Sequence, residues 1–303
     1  MPAWKESPVL AWAGLVLACL FWAGNALVAR AFSDAIPPFS LAFWRWSVAL
    51  ALLMPFVAVP LWRHREQLRR AGWRLWLLAA LGISGYNCFL YSAAHSTVAL
   101  NLTLVNTCLP LALFLGSGLL LGEWPGRRAW LGIGVATLGL LWLIGRGDWR
   151  VLAGLSFNPG DLLMLLAVFD WALYTLLLRR WSGLLQGVPG LVQLGALILL
   201  GVPLLLPLYL LELAGGARFA PSPENLVAIG YTALCASLVA YFLWNHGTRV
   251  VGAARAALSN YLMPVFTALL GWLLLGEGLQ PYHWSGGALI FAGLLLASRP
   301  ARS

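Results

Sequence analysis

Arg45 is the residue of this chain that is costliest to bury, because apolar sequence flanks it on both sides (Leu41-Ala-Phe-Trp-Arg45-Trp-Ser-Val-Ala49). A cation inside such a run costs roughly 2.5–3.5 kcal/mol on insertion scales and marks a substrate or ion path when it faces a cavity. It can bind a substrate carboxylate, pair with a buried acid such as Asp170 or, given a shorter helix, Asp34, or snorkel to the interface. Asp170 sits in an apolar run of its own and is the candidate for proton coupling. If the two pair with each other, both are structural. The second pattern is Asn106-x-x-x-Pro110, which recurs as Asn260-x-x-x-Pro264. Proline removes a backbone donor and frees the carbonyl four residues earlier, so each proline leaves a bare carbonyl beside an Asn amide. Pro110 and Pro264 are either hinges lining a polar path or curves in packed helices whose amides bond their neighbours.

Aromatic residues supply a third pattern. Most of the seventeen tryptophans lie where an interfacial belt explains them, but Trp22, Trp44, Trp46, Trp171 and Trp244 fall deeper. An indole at that depth suits an apolar or aromatic ligand. Tyr86, Asn87, Tyr174, Ser237 and Tyr241 add hydroxyls and amides nearby. The candidate binding set is Trp22, Asn25, Arg45, Tyr86, Asn87, Asn106, Trp171, Tyr174, Tyr241 and Asn260, with Trp22 and Trp171 foremost. Gly82-Ile-Ser84-Gly85 has the form that presents a nucleophilic serine, but such a serine needs a histidine base. His95 is eleven residues along the same helix and His246 is at the far end of another, so a protease is the weaker reading. Glu123 and Glu277 read as helix terminators, and His95 and His246 as interfacial or capping residues.

The elements that hold these residues must be membrane helices. The chain is 61% hydrophobic and 10% charged, with a mean hydropathy of +0.83, which excludes an ordinary soluble domain. The formal charge of +9 is scattered among short connectors, unlike the grouped face that nucleic acid requires. Cys19, Cys88, Cys108 and Cys235 all lie in apolar runs without a C-x-x-C pair, so neither a disulfide framework nor a zinc site is indicated, and no cofactor is expected. A span needs about 20 apolar residues. Ten runs fit: 9–30, 38–61, 74–94, 98–121, 129–145, 161–179, 190–212, 226–246, 253–275 and 284–298. The first lacks a cleavage signal and reads as a retained helix.

With the N-terminus inside, fourteen of the nineteen Lys and Arg fall in inner connectors and four in outer ones (Arg30, Arg146, Arg150 and Arg218), with Arg45 in a span. The positive-inside rule therefore puts both termini in the cytoplasm. The chain also repeats itself at a shift of 154 residues: Leu119-Leu-Leu-Gly-Glu123 recurs as Leu273-Leu-Leu-Gly-Glu277, and Trp130-x-Gly132 as Trp284-x-Gly286. Five spans per repeat is an odd number, so residues 1–148 and 149–303 must enter the membrane from opposite sides. Gly132, Gly139, Gly286 and Gly293 suit close helix packing within this scaffold first, and a homodimer contact second.

Phe21-Trp-Ala-Gly-Asn25, Pro38 followed by Arg45, and the doubled Asn-x-x-x-Pro and Leu-Gly-Glu blocks resemble the EamA-type branch of the drug/metabolite transporter superfamily over nearly the whole chain. The second half has no arginine matching Arg45; Gln193 or Ala196 lies near that place. The resemblance implies an all-α polytopic protein of the bacterial inner membrane that exports small metabolites by alternating access. Among its members the bacterial aromatic amino acid exporters are most similar. Other metabolites or cationic drugs are the alternative cargo.

Overall fold

Proline opens several of the helices here (Pro8, Pro38, Pro159, Pro223 and Pro281), at the position where its missing donor is not needed. The computed structural model describes residues 7–97, 102, 105, 106, 108–156, 158–275 and 278–298. Helix α1 is Pro8–Ala31, α2 Pro38–Arg63 and α3 the short Arg65–Ala71. A third column combines α4 (Trp73–Ala79), a π-helical stretch Ala80–Gly85 and α5 (Tyr86–Ser96). Next come α6 (Cys108–Leu121), α7 (Arg127–Ile144), α8 (Trp149–Ala153), α9 (Pro159–Arg180) and α10 (Gly190–Ala214). Another combined column joins α11 (Pro223–Tyr231), a π-helical stretch Thr232–Val239 and α12 (Ala240–Val251). The last elements are α13 (Ala253–Leu258), a 3₁₀ turn Ser259–Tyr261, α14 (Leu262–Leu275) and α15 (Pro281–Ser298).

Side chains complete what proline begins. Asn158 accepts from the backbone N–H of Gly160 while Asp161 reaches back to the Asn158 N–H, a capping box at the start of α9. The start of α2 is capped from far away: Glu212, in the last turn of α10, accepts from the N–H groups of Phe39 (3.0 Å) and Ser40 (2.6 Å). At Gly252 the backbone takes φ +92°, a turn that suits glycine, and so separates α12 from α13.

Among the described residues, eight helical stretches are long and apolar enough to cross a membrane. The shorter α6 and the 18-residue α15 stand where the fourth and tenth spans are expected. The surface is apolar as lipid requires: Phe56, Leu119, Val227 and Leu274 are each more than 70% exposed. Glu277 and the basic residues Lys5, Arg299 and Arg302 lie outside the described residues, as does the side chain of His95.

Packing follows a paired pattern. α1 lies against α12 and α14, α9 against α5 and α6, α2 against α10, and α7 against α15. Exchanging α1 with α9, α2 with α10, α5 with α12, α6 with α14 and α7 with α15 leaves this list unchanged. The α7–α15 contact is made by bare backbone. A Cβ on Gly139 would stand 2.8 Å from the Gly286 carbonyl oxygen, and one on Gly293 would stand 2.6 Å from that of Gly132. The four glycines therefore join two helices of one chain, the first of their two expected roles.

Pro264 is the third residue of α14, whereas Pro110 follows helical residues, since Val105 and Asn106 are helical as well as Cys108–Leu121. Before Pro264 the backbone tightens into the 3₁₀ turn Ser259–Tyr261, within one continuous helical stretch Ala253–Leu274. Pro55 and Pro60 in α2, and Pro203 and Pro207 in α10, stand inside continuous helices.

Candidate functional site

The two π-helical stretches organise the centre of the molecule. In a π turn the ladder slips to i→i−5, as in the Tyr86 N–H bonding the Leu81 carbonyl and the Ala240 N–H bonding that of Cys235. Such turns recur at functional sites because they loosen backbone groups for other partners. Here the partners are side chains from other helices. The Tyr241 hydroxyl donates to the Gly82 carbonyl at 2.8 Å. The Ala236 carbonyl accepts from Trp22 Nε1 at 3.0 Å and from an Arg45 terminal nitrogen at 3.1 Å. Ser237 donates to the Thr232 carbonyl at 2.8 Å.

Arg45 is 2% exposed and binds neutral groups only. Nε donates to Ser237 Oγ (2.5 Å), one terminal nitrogen to Asn87 Oδ1 (3.1 Å), Tyr91 OH (2.9 Å) and Asn25 Oδ1 (3.4 Å), and the other to Ala236. The guanidinium also lies 5.2 Å from the centre of the Trp46 ring. Of its five N–H donors, one on the second terminal nitrogen has no partner among the described residues. The described ion pairs are Arg65–Glu66, Arg69–Glu66 and Arg179–Glu123, so Arg45 pairs with neither Asp170 nor Asp34. The Arg45–Asp170 pair, one of the alternatives for these residues, is therefore not made: Asn87 of α5 faces the arginine, while Asp170 Oδ1 lies against Gly85 at the end of the π stretch. Among the described residues, neither Asp170 Oδ2 nor Trp46 Nε1, both buried, has a hydrogen-bond partner.

Beside these groups is a cluster of rings. Trp171 is its hub, 5.4 Å from Trp22, 5.2 Å from Tyr86, 5.1 Å from Tyr174 and 5.2 Å from Tyr241. Trp244 touches both Trp22 (5.3 Å) and Trp171 (5.9 Å), and Trp46 meets Tyr241 edge to face at 4.8 Å. The Tyr174 hydroxyl is held by Asn245 at 2.9 Å.

Eight expected residues are therefore brought together: Trp22, Asn25, Arg45, Tyr86, Asn87, Trp171, Tyr174 and Tyr241, with Asp170 adjoining. Asn106 and Asn260 are not among them. The Asn260 amide donates to the Ala257 carbonyl one turn back, while Asn106 Oδ1 is buried and has no hydrogen-bond partner among the described residues. Trp44 points away, 38% exposed beside Tyr209. Ser84 Oγ donates to the Gly201 carbonyl at 3.0 Å, which ties α10 to the first π stretch. His246 instead stacks on Phe242. Sequence reasoning missed Tyr91 and Asn245, although each follows a chosen residue (Asn87 and Tyr241) by four positions on the same helical face. Glu123 does end its helix region as expected, bridging to Arg179 at 3.2 Å, and Arg179 also binds the Arg249 carbonyl at 2.7 Å.

The model of the EamA-like transporter family matches twice, over residues 10–145 and 158–299. An uncharacterized transporter of Archaeoglobus fulgidus is 29% identical over 94% of this chain and 96% of its own. The uncharacterized inner membrane transporter YedA of Escherichia coli strain K12 is 26% identical over 91% of this chain and 87% of its own. A solved protein structure, 24% identical, superposes over 96% of this chain and 97% of its own with a TM-score of 0.79, which shows a common fold.

Proposed function

This chain belongs to the EamA-like transporter family, and from that premise we propose that it exports small amphipathic metabolites, foremost hydrophobic and aromatic amino acids, by alternating access through the ring cluster. One observation carries the reading: a buried arginine without a counter-anion and a buried carboxylate oxygen without a donor flank the same aromatic cluster. Buried polar atoms are nearly always satisfied, so each orphan is a place for a ligand atom. The free N–H of Arg45 and the Trp46 indole suit a carboxylate, Asp170 Oδ2 suits an ammonium, and the rings around Trp171 suit an apolar side chain. Asp170 is also the proposed proton-coupling group, since a carboxylate held away from any cation changes charge readily when its surroundings open.

The architecture proposed for this work is ten spans in two inverted repeats, 1–148 and 149–303, with both termini in the cytoplasm of a bacterial inner membrane. The exchange symmetry of the packing pairs and the doubled family match support the repeat. The excess of arginine in the inner connectors supports the orientation. The partners are a small-molecule substrate and the lipid bilayer, without nucleic acid or cofactor, and a homodimer is a secondary proposal. A protease is not favoured, because Ser84 spends its hydroxyl on Gly201.

Radiolabelled counterflow in proteoliposomes tests the substrate. Phenylalanine, tryptophan, leucine, threonine and a lipophilic cation are compared, and saturable exchange of the aromatic amino acids is expected. Exchange of the cation alone moves the protein to drug export and removes the argument from Arg45 to a carboxylate.

A further inference from the structure

A second concavity lies on the outside of the bundle and shares no residue with the ring cluster. This groove of about 510 Å³ forms where α2, α3, α4 and α10 meet. Met54, Leu61, Leu75 and Leu199 give it apolar walls, and Met54 stands nine residues before the end of α2, roughly 13 Å below it at the rise of an α-helix. At the α2 end Arg65 and Arg69 join the lining with Trp62 and Trp76. Trp62, Trp76 and Leu199 are 69%, 47% and 43% exposed, so the groove is open to the surroundings of the bundle. In a membrane protein those surroundings are lipid.

The charge at this end is one-sided. Residues 63–74 hold five arginines (Arg63, Arg65, Arg69, Arg70 and Arg74) against Glu66 alone. Glu66 meets Arg65 at 3.9 Å and Arg69 at 3.6 Å, with side chains 43% to 77% exposed, and pairs so exposed neutralise little. The arginines are nonetheless held in place. Arg65 donates to the Trp62 carbonyl at 3.0 Å and lies 4.5 Å over the Trp62 ring. Gln67 pins α3 to the connector between α9 and α10 through the carbonyls of Leu184 and Gln186. The result is a slot that is cationic at the membrane boundary and apolar along its depth, with tryptophans at the level of the headgroups.

We propose that this groove is a binding site for one anionic phospholipid, its phosphate between Arg65 and Arg69 and one acyl chain along Met54, Leu75 and Leu199. Basic pockets between helices at the membrane boundary recognise anionic headgroups in this way, at about fivefold in affinity per arginine.

The test is native mass spectrometry of the detergent-purified protein offered equal phosphatidylglycerol and phosphatidylethanolamine. Preferential retention of one phosphatidylglycerol is expected, lowered roughly twentyfold in Arg65→Gln/Arg69→Gln and unchanged in Arg127→Gln/Arg128→Gln. Leu199→Trp, which fills the slot without altering charge, is expected to lower retention as well; circular dichroism and elution volume check that each variant is folded. Equal retention of both lipids by the unaltered protein overturns the proposal. So does full retention of phosphatidylglycerol in either the double arginine variant or Leu199→Trp. Stabilisation by inorganic phosphate equal to that by phosphatidylglycerol overturns it too, since the lipid chain would then have no seat. Retention is read without transport, so its failure leaves the substrate proposal intact.

Discussion

Arg45 joins three helices through neutral acceptors, and that determines what its loss does. Asn87, Tyr91, Ser237 and the Ala236 carbonyl are all buried around it. Replacement by lysine keeps the charge but not the planar fork of five donors, so most of these acceptors lose their partner. Arg45→Lys is expected to lower stability by about 3 kcal/mol, and Tyr91→Phe by about 1.5–3 kcal/mol, both read as midpoints of thermal unfolding in detergent. An unchanged midpoint in Arg45→Lys contradicts this account of the residue. Much at this scale was legible in the sequence. Arg45, Trp22 and Trp171 announce themselves because a cation and deep indoles are expensive or unusual in apolar runs. Asn106 and Asn260 looked equally polar, yet Asn260 spends its amide on its own preceding turn, and spacing alone cannot tell a side chain that reaches across from one that folds back.

At the scale of elements, helices and their approximate ends follow from hydropathy and proline, but what positions the site does not. The π stretches Ala80–Gly85 and Thr232–Val239 are small-residue sequences without a local signal for an extra residue per turn. They exist because Tyr241, Arg45 and Trp22 satisfy the carbonyls they release, partners between 159 and 214 residues away. The Glu212 cap on α2 is likewise 172 residues from Ser40. The glycine pairing of α7 with α15 was readable, since Gly132, Gly139, Gly286 and Gly293 recur in register. Gly139→Leu drives a side chain into the α15 backbone and is expected to cost about 1–3 kcal/mol or more, seen as a lower thermal midpoint. The same change at Gly134, where a Cβ meets nothing within 4 Å, is expected to leave the midpoint within about 0.5 kcal/mol. Equal effects at the two glycines contradict the packing argument.

Taken whole, the molecule places its charged and aromatic groups where two structurally corresponding sets of helices meet. α1 and α9 bring Trp22 and Trp171 into contact, and the two π stretches face them from the α4–α5 and α11–α12 columns. Rocking one set against the other would expose this seam to either side, as alternating access requires. The seam holds Asp170 Oδ2 and Trp46 Nε1 unsatisfied, which is costly unless a ligand spends part of its cycle there. The central claim is that substrate occupies this seam, and labelled phenylalanine counterflow with Trp171→Ala and Asp170→Asn beside the unaltered protein tests it most directly. Saturable exchange by the unaltered protein is expected, reduced about tenfold or more in each variant at equal amounts of folded protein. Undiminished exchange in both variants contradicts the account, because the substrate would then pass without meeting either the hub of the ring cluster or the Asp170 carboxylate beside it.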